Sequence, residues 1–577
     1  MVRIYINGNP VHAREDATIL EASFEDKYAS KQFDLYIPTI QYLKGVQECD
    51  ASGLPMVEVK GVEGLVNAAS IRVTADMEVT TNSPAAIAAQ KEALAAILKE
   101  HDVDCRHCVR TGNCELQNLQ WHFRLNKPAA EARNKTWSVD EESIIIRDEN
   151  KCVRCGRCVA ACTELQGIGA IERRADGRVL PLGGGKLSAT KCVSCGQCIT
   201  VCPVGALRER DDTDRILAAI ADPEKFVVIQ AAPSVRASVG EYFQYPVGAE
   251  VEGKLAAALR RLGFDRVFDT TFGADLTIME EAAEFLERQK SGSSLPLITS
   301  CCPSWVQFCE QEFPALLPHV SSCKSPQQMF GAVIKSWYAE KLGLSKENIV
   351  VVSAMPCTAK KFELTREGQA GAGVPGVDFS ITARELCRML ERQDVAFMSL
   401  PDEDFDSPLG QGSGAGVIFG ATGGVMEAAL RTAADWISGE KLERVEYSAV
   451  RGVAGVKEAE VTLNGSVVRI AAVSGLANAR ALMEKVAAGQ ADYAFIEVMA
   501  CPGGCVNGGG QPQQISSVHM TKDLRAQRAS TLYGLDEHNA LRKAHDNPEV
   551  QELYRSFLSQ PGSQKAHALL HTTYHQR

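Results

Sequence analysis

The chain has 577 residues, of which 45% are hydrophobic and 23% are charged, and this composition is typical of globular domains rather than disordered chains. Its length predicts about four domains, and its net charge of -11 argues against a general nucleic-acid binder, which needs a basic surface. No apolar run approaches the roughly 18–20 residues that span a bilayer. The N-terminus lacks the apolar core of a secretion signal, so we expect a soluble protein of the cytoplasm.

Residues 1–80 are predicted to form a small β-rich domain. Val2 to Ile6 alternate apolar and polar residues up to the turn pair Asn7-Gly8, a pattern typical of a β-hairpin. A helical stretch is predicted around Ile19 to Phe24, and a second strand at Met56 to Val59.

Residues 81–126 combine one helix with a compact set of metal ligands. Ser83 and Pro84 form an N-cap followed by proline at the first helical position, and apolar residues recur at helical spacing up to His101. The ligand set consists of His101, Cys105, Cys108 and Cys114. Three thiolates and one imidazole suit either a structural zinc or an iron–sulfur cluster, so this spacing leaves both open. A polar linker is predicted at 127–142.

Residues 143–211 contain two copies of the motif CxxCxxCxxxC, the second followed by Pro203. This is the bacterial ferredoxin motif, in which the fourth cysteine of each copy ligates the other cluster. The two predicted [4Fe–4S] ligand sets are Cys152, Cys155, Cys158 and Cys202 for one cluster, and Cys192, Cys195, Cys198 and Cys162 for the other. Two complete copies make a pair of zinc sites or inert core cysteines poor alternatives.

From residue 212 onward, predicted strands alternate with predicted helices, which indicates an α/β domain. The strands are expected at Phe226–Gln230, Ile349–Val352 and Tyr493–Val498, and the helices at Glu280–Arg288 and Met426–Trp436. The remaining clustered cysteines lie in three widely separated motifs, TSCCPSW from Thr299, MPCTAKK from Met355 and EVMACPGGC from Glu497.

These three motifs, in this order, resemble the active-site motifs of the iron-only ([FeFe]) hydrogenases. The resemblance covers nearly the whole chain and points to the long multi-cluster form, like the clostridial-type enzyme and the catalytic subunit of NAD(P)-linked hydrogenases. It implies an α/β multidomain fold with four parts. These are a β-grasp (plant-ferredoxin-like) domain at 1–80, a His/Cys3 [4Fe–4S] domain at 81–126, a 2[4Fe–4S] ferredoxin-like domain at 143–211 and a two-lobed α/β catalytic domain at 212–577. By the same resemblance, the His/Cys3 set holds a third accessory [4Fe–4S] cluster rather than zinc.

The family's active-site cofactor, the H-cluster, is a [4Fe–4S] cube that shares one cysteine sulfur with a diiron subcluster carrying carbonyl, cyanide and amine-dithiolate ligands. Carried over by motif position, the cube ligands are Cys302, Cys357, Cys501 and Cys505, with Cys505 as the bridge. Lys360, Ser234 and Pro233 are expected to hydrogen-bond cyanide. Met355, Met499 and Phe419 are expected to pack against the diiron unit, although each also suits an ordinary core position.

The resemblance also implies a proton route. Cys301, beside the ligand Cys302, is expected to relay the proton, and Glu281, Ser321 and Glu284 to carry it outward to Arg288. A chain of groups that both accept and donate is what proton transfer requires. Without the resemblance, the spacing of Glu281, Glu284 and Arg288 would fit a solvated salt-bridge face of a helix.

The chain departs from the family in its N-terminal domain. Long members hold a [2Fe–2S] cluster there with four cysteines, and the corresponding positions in this chain are Gln41, Ser52, Pro55 and Ala69, with Cys49 beside the set. None of these four can supply a thiolate. We therefore expect a domain that folds without a [2Fe–2S] cluster, although without the metal link it should be less stable.

Two glycine-rich stretches and one histidine group are weaker patterns. Gly183–Lys186 is followed by Leu187, not Ser or Thr, so it fails as a phosphate loop, and the glycines from Gly414 to Gly424 are only loosely dinucleotide-like. His567, His571 and His575 have the spacing of a metal-binding helix face, but exposed terminal histidines are the favoured interpretation.

Three functions are compatible with these features. The first is interconversion of H2 with protons and electrons, with ferredoxin or a similar carrier as partner. The second keeps this chemistry in the catalytic subunit of an NAD(P)-linked, electron-bifurcating complex. The third, an H2 sensor or iron–sulfur assembly protein, is disfavoured because Cys301, Lys360 and all four cube ligands are present. Maturation enzymes are expected partners, and neither nucleic acid nor a membrane is.

Overall fold

The computed structural model describes residues 1–25, 36–126, 139–443, 446–463 and 465–577. The linker predicted at 127–142 therefore lies largely outside the described residues. Within these ranges, no helix is both long enough and apolar enough to cross a membrane.

The N-terminal region is a small mixed sheet. Its elements are β1 (Val2–Ile6), β2 (Asn9–Ala13), α1 (Ile19–Glu25), β3 (Met56–Val59), β4 (Leu65–Asn67) and β5 (Glu78–Thr80). The strand order is β2-β1-β5-β3-β4, with β1 and β5 parallel. Asn7 and Gly8 form the predicted turn with φ of 50° and 80°, the positive values that a type I′ hairpin needs. The predicted strands and helix of this region are thus confirmed.

The middle of the chain consists of short elements around the cysteine motifs. They are α2 (Pro84–Glu100), α3 (Glu115–Phe123), β6 (Val139–Asp140), β7 (Ile145–Asp148), α4 (Arg157–Ala160), β8 (Ile171–Arg173), β9 (Val179–Pro181), α5 (Gln197–Thr200) and β10 (Leu207–Glu209). The helix α2 begins as predicted, since the Ser83 hydroxyl accepts a hydrogen bond from the Ala86 amide at 3.2 Å. The short helices α4 and α5 carry Cys158 and Cys198, the third cysteine of each repeat.

The remainder of the chain is α/β. Its elements are α6 (Thr213–Ile220), β11 (Phe226–Ala231), α7 (Pro233–Arg236), α8 (Glu252–Arg261), β12 (Arg266–Asp269), α9 (Thr270–Ser291), β13 (Leu297–Ile298), α10 (Pro303–Glu312), α11 (Pro326–Val333), α12 (Ala339–Leu342), β14 (Ile349–Met355), α13 (Ala359–Glu363), β15 (Phe379–Thr382), α14 (Ala383–Arg392), α15 (Gly414–Val417), α16 (Gly424–Ser438), β16 (Val456–Leu463), β17 (Ser466–Ser474), α17 (Leu476–Ala487), β18 (Phe495–Met499), α18 (Ser516–Thr521), α19 (Leu524–His538), α20 (Pro548–Leu553) and α21 (Gln564–Leu570). The predicted strands and helices of this region are present, with shifted ends.

Two four-stranded sheets form the two halves of this α/β region. One has the order β12-β11-β14-β15 and is entirely parallel. The other has the order β13-β18-β17-β16, in which β16 is antiparallel to β17 and the other pairs are parallel. The shared direction of the parallel strands matters here, because loops after their carboxyl ends gather at one edge of each sheet and form ligand sites there.

Glycine backbones connect the ferredoxin-like region to the α/β region. A Cβ at Gly509 would clash with the carbonyl of Cys195 and with Gly196, and a Cβ at Gly196 would lie 3.0 Å from the Gly509 backbone. Only residues without a side chain allow this approach. It brings the second cysteine repeat against the loop that follows β18.

Candidate active site

A cavity of about 80 Å³ lies between the two sheets of the α/β region. The segments that follow β11, β13, β14 and β18 all reach it, because the carboxyl ends of these strands point toward the same place. Its wall contains all the residues predicted to contact the active-site cofactor, together with the predicted relay thiol: Pro233, Ser234, Cys301, Cys302, Met355, Cys357, Lys360, Phe419, Met499, Cys501 and Cys505. Five segments distant in sequence, the fifth being the one with Phe419, therefore meet in one site.

The four predicted cube ligands are buried or half-buried free thiols. Burial raises the pKa of each of them, and the charges of neighbouring thiolates raise it further for Cys357, Cys501 and Cys505. Such thiols would be protonated without a metal. A bound cation inverts this preference and deprotonates them, so the donor set fits a metal cluster.

Lys360 is held at the edge of the cavity by a carboxylate that sequence reasoning missed. Its ammonium donates to the carbonyl of Cys301 at 3.1 Å and to Glu363 at 3.1 and 3.2 Å. Burial opposes its charge, but Glu363 and the nearby thiolates outweigh burial and raise the pKa of Lys360. Gln327 and Ser325 also donate to Glu363, at 2.6 and 2.8 Å. The three-residue spacing of Lys360 and Glu363 on α13 was the available sign of this pair.

Ser234 presents an unpaired hydroxyl to the cavity. Its side chain is 1% exposed, and its Oγ has no hydrogen-bond partner among the described residues. A buried hydroxyl left unpaired costs about 1–3 kcal/mol, so the site fits a polar ligand atom beside Ser234. Met355, Met499 and Phe419 are buried in the same wall and give it an apolar surface.

Behind Cys301, the helix α9 carries the acidic residues of the predicted proton route. Ser321 donates to Glu284 at 2.7 Å, and Arg288 donates to the same carboxylate at 2.6 Å. Burial and the charge of Glu284 raise the pKa of Glu281 to about 8, against an opposing hydrogen bond from Ser321. Burial, followed by the charge of Glu281, raises the pKa of Cys301 well above the ordinary thiol value. Ser321 and Arg288 thus contact Glu284 directly, and Cys301 and Glu281 are close enough for their charges to interact.

Exposure is lowest at Glu281 and Ser321 and rises at the outer end of the predicted order. Glu281 is 1% exposed and its Oε1 has no partner in the described ranges, whereas the side chains of Glu284 and Arg288 are 11% and 14% exposed. Arg288 also donates to the carbonyls of Pro318 and His319 at 3.2 and 3.0 Å. A solvated helix face does not describe this arrangement, because its inner carboxylate is buried.

A second, small pocket is lined by Cys152, Cys155, Cys158 and Cys202, one of the two ligand sets predicted for the ferredoxin-like region. For the other set, the charges of Cys192 and Cys162 are among the causes that raise the pKa of Cys195 and Cys198. In both sets the fourth cysteine comes from the other repeat. Cys198 is also close enough to Cys158, and Cys195 to Cys357, for their charges to interact.

The His/Cys3 set lies beside the pocket that contains Cys202. The Nδ1 atom of His101 is 2.9 Å from the carbonyl of Lys151, the type of contact that orients metal-bound histidines. A Cβ at Gly205 would lie 2.5 Å from the sulfur of Cys108, and Gly205 follows Cys202 closely in the chain. Arg110 interacts electrostatically with both Cys114 and Cys202.

In the N-terminal domain, donors of the loop that would surround a [2Fe–2S] cluster are hydrogen-bonded to the Asp50 carboxylate. Asp50 is 2% exposed, and its carboxylate accepts from the amides of Ile40 and Gln41 at 3.0 Å and from the Thr39 hydroxyl. Its other oxygen accepts from the amide and hydroxyl of Ser52. The four family positions, Gln41, Ser52, Pro55 and Ala69, thus offer no thiolate, and a protein carboxylate already receives the loop's donors.

The weaker patterns have different outcomes. Gly420 lies in the active-site wall, close to Ser234. His567 and His575 are exposed, as expected. For His571 the expectation was wrong: α21 ends at Leu570, and the His571 side chain is only 6% exposed because it bonds to Glu280 and Ser322.

Four family models match the chain. Residues 225–509 match the C-terminal domain of the iron-only hydrogenase large subunit, and residues 522–577 match the iron hydrogenase small subunit. Residues 145–208 match a 4Fe-4S dicluster domain. Residues 90–128 match the NADH-ubiquinone oxidoreductase-G iron-sulfur binding region.

Similar proteins match the chain over most or all of its length. The NADP-reducing hydrogenase subunit HndD of Solidesulfovibrio fructosivorans is 44% identical, with 100% of this chain and 99% of the relative covered. Iron hydrogenase 1 of Clostridium pasteurianum is 41% identical, with complete coverage of both. The solved structure of a variant of apo [FeFe]-hydrogenase HydA1 from Chlamydomonas reinhardtii aligns with a TM-score of 0.57 and 42% identity, covering 63% of this chain and 99% of that one. The chain therefore belongs to the family of iron-only hydrogenases.

Proposed function

We propose how this iron-only hydrogenase interconverts H2 with protons and electrons: protons travel through Cys301 and α9, and electrons through three accessory [4Fe–4S] clusters. The observation that carries the proposal is the single cavity wall containing the four cube thiols together with Cys301, Lys360 and Ser234. When bound, the H-cluster supplies the metal and amine chemistry that makes or cleaves the H–H bond. The protein positions that cofactor, excludes water and moves protons and electrons.

The proposed roles of the protein groups follow from their positions. Cys302, Cys357, Cys501 and Cys505 would hold the cube, and Lys360 and Ser234 would donate hydrogen bonds to the anionic ligands. The Pro233 ring has no N–H to donate, so the expected hydrogen bond from this residue is wrong and its role is to line the wall beside Ser234. Met355, Met499 and Phe419 exclude water from the diiron side. Cys301 passes a proton between the cavity and Glu281, and Ser321, Glu284 and Arg288 continue the route toward the surface. The contacts along α9 support this order, because each group lies beside the next.

Electrons need a chain of closely spaced clusters, and the cysteine positions support one. The His101, Cys105, Cys108 and Cys114 set lies beside Cys202 of the first ferredoxin-like set. That set lies beside the second through Cys158 and Cys198, and the second lies beside the cube ligand Cys357 through Cys195. We propose the electron path in this order.

The proposed domains are residues 1–80, 81–126, 143–211 and 212–577. The strand order of the first domain supports a β-grasp fold.

The electron partner is either ferredoxin or an NAD(P)-linked subunit in the cytoplasm. The match to the NADP-reducing hydrogenase subunit HndD over the full chain favours the second. A third relative, cytosolic iron-sulfur assembly component 3 of Bos taurus, is 33% identical but covers only 62% of this chain, so the assembly function is not favoured. The test measures H2 evolution and uptake after anaerobic production with the maturation enzymes, comparing ferredoxin with NADPH as donors. Absence of H2 turnover with either donor, or with an artificial reductant, would contradict the proposed activity.

We further propose that the N-terminal domain holds no [2Fe–2S] cluster and that the Asp50 carboxylate takes its structural place. In the absence of a cluster, loop amides need another acceptor, and Asp50 provides one for three amides and two hydroxyls. Spectra of the purified enzyme at cryogenic temperature should contain [4Fe–4S] and H-cluster signals alone. A [2Fe–2S] electron paramagnetic resonance signal would overturn this proposal.

Replacing Asp50 by alanine should destabilise the N-terminal domain by several kcal/mol, because each buried donor left unpaired costs about 1–3 kcal/mol. Hydrogen exchange of the amides between residues 36 and 80 is the measurement, and their exchange should accelerate while α9 remains protected. The matched control is Glu63→Ala, which removes an exposed carboxylate of the same domain. Equal exchange in both variants would show that Asp50 does not organise the loop.

Replacing Glu363 by glutamine should lower H2 turnover roughly tenfold, which corresponds to about 1.4 kcal/mol of lost transition-state stabilisation. The reason is that Lys360 loses the carboxylate that fixes its ammonium beside the cavity. Initial rates of H2 evolution are compared with those of Glu367→Gln, an exposed neighbour that should retain full activity. If the two variants behave alike, Lys360 does not depend on Glu363.

A further inference from the structure

Two side chains that the proposed route does not use, Cys323 and His571, lie next to Glu284. Cys323, fully buried, places its sulfur 3.7 Å from Glu284 Oε2. His571 comes from the C-terminal segment, far along the chain, and forms an isolated antiparallel bridge with Cys323. One ligand atom from each of Glu284, Cys323 and His571 lies within 4.8 Å of the others. A sulfur, an imidazole nitrogen and a carboxylate oxygen are the donors that zinc takes in proteins.

The geometry of this group is close to that of a metal site. Bond lengths of ~2.0–2.3 Å place the ligands of tetrahedral zinc roughly 3.3–3.8 Å apart. The sulfur–oxygen separation of 3.7 Å already lies in this range, and the remaining separations need to contract by no more than about 1.5 Å. Backbone pairing of Cys323 with His571 fixes two of the three ligands relative to each other.

A second, independent observation concerns the orientation of His571. Its Nε2 lies 3.0 Å from Glu280 Oε2, and Glu280 also accepts from the Tyr554 hydroxyl and the Gly562 amide. Because a carboxylate accepts hydrogen bonds, Nε2 donates to Glu280, and in the neutral imidazole Nδ1 is then the nitrogen that presents a lone pair. That Nδ1 faces Ser322, 2.8 Å away, whose hydroxyl lies 3.2 Å from Glu284. A histidine held by a carboxylate at one nitrogen is the usual arrangement of a metal ligand.

The surrounding charges favour a dication at this place. Burial, followed by the charges of Glu284, Glu281 and Glu280, raises the pKa of the Cys323 thiol well above its ordinary value. The same three carboxylates would stabilise a cation, which in turn would deprotonate the thiol. The thiolate and the Glu284 carboxylate together balance the charge of a dication, which lowers the cost of burying it.

We propose that Glu284, Cys323 and His571 form a binding site for a zinc-class divalent cation, and that a bound cation blocks proton transfer at Glu284. The inhibition rests on the proposed function, since it requires that protons pass through Glu284. The binding does not. A metal that occupies a carboxylate oxygen of Glu284 competes with the Ser321 hydroxyl and the Ser322 amide, which both donate to that carboxylate, and adds positive charge beside Arg288.

The test measures zinc binding and H2 evolution separately on the complete enzyme. Isothermal titration should give one tight site per chain, and zinc X-ray absorption should show one sulfur ligand with nitrogen or oxygen ligands. Cys323→Ala and His571→Gln should each weaken zinc binding at least tenfold. For each variant, inhibition is measured relative to that variant's own rate without zinc. The zinc concentration that halves this rate should rise by the same factor as the dissociation constant. The matched control, His567→Gln, removes an exposed histidine whose ring lies 4.1 Å from that of His571 and should bind zinc as the parent protein does.

The outcomes separate the metal site from the proton route. Zinc bound without a sulfur ligand, or bound equally by the parent protein and both variants, would overturn the site. Zinc bound as expected but without inhibition would uphold the site and contradict the route through Glu284. X-ray absorption on enzyme produced without the maturation enzymes should give the same zinc environment, so the binding result does not depend on catalytic activity.

Discussion

Replacing Cys301 by alanine should lower H2 turnover by roughly 10²–10⁴-fold, the usual effect of losing a proton-transfer group, while the iron content stays unchanged. The thiol lies in the wall of the active-site cavity, and its charge interacts with that of Glu281 on the other side. Alanine keeps the small volume of the side chain but can neither accept nor donate a proton. The measurements are H2 evolution and uptake rates, together with iron per chain.

Two further variants make the Cys301 result specific. Cys302→Ala should lose the active-site cube, because it removes a ligand, and its iron content should fall. Cys309→Ala removes a buried thiol of the neighbouring helix α10 that lies outside the cavity wall, and its turnover should remain near that of the parent enzyme. Full activity in Cys301→Ala would exclude the thiol as a relay. Loss of iron in that variant would assign it a structural function instead.

Local spacing in the sequence predicts the two ferredoxin-like ligand sets, because the ligands of this iron–sulfur motif are close together in the chain. Two repeats of CxxCxxCxxxC predict their own pairing, and the pocket lined by Cys152, Cys155, Cys158 and Cys202 agrees with it. Strong periodicity likewise predicted α2, α9 and α16. The convergence of β11, β13, β14 and β18 on one cavity was not contained in any local pattern, and it came only through resemblance to a family.

The contacts that sequence reasoning missed join residues far apart in the chain. His571 was expected to be exposed, yet it meets Ser322 across 249 positions, and such a pairing depends on tertiary packing that no periodicity reports. Asp50 is another case, because a single acidic residue in a loop gives no indication that five donors will surround it. Glu363 differs, since its spacing from Lys360 was visible. The burial of this pair was not visible in the sequence.

Replacing Glu281 by glutamine should also lower H2 turnover by about 10²-fold or more, the loss expected when a group that exchanges protons becomes one that cannot. Glutamine has nearly the same shape, so the cavity and the clusters should remain intact. Glu287→Gln is the matched control, because Glu287 is an exposed carboxylate on the same helix. Equal turnover in the two variants would exclude Glu281 from the route.

The pH dependence of stability tests the physical state of Glu281 independently of activity. Burial raises its pKa from 4.5 to about 8 in the folded protein, so between these values the folded protein binds a proton that the unfolded chain has lost. The free energy of unfolding contributed by this group therefore falls as pH rises from about 4.5 to about 8 and is constant above that range. One pKa unit corresponds to about 1.4 kcal/mol, so the full change is on the order of several kcal/mol.

Glutamine does not titrate, so Glu281→Gln should lose less stability than the parent enzyme between pH 5 and pH 9, and Glu287→Gln should follow the parent. The apparent Tm of the anaerobic holoenzyme at a fixed scan rate is the measurement. A parallel decrease in all three proteins would mean that Glu281 is ionised throughout this range. In that case it would hold a permanent charge beside Cys301, and the route would need a different proton carrier between the cavity and Glu284.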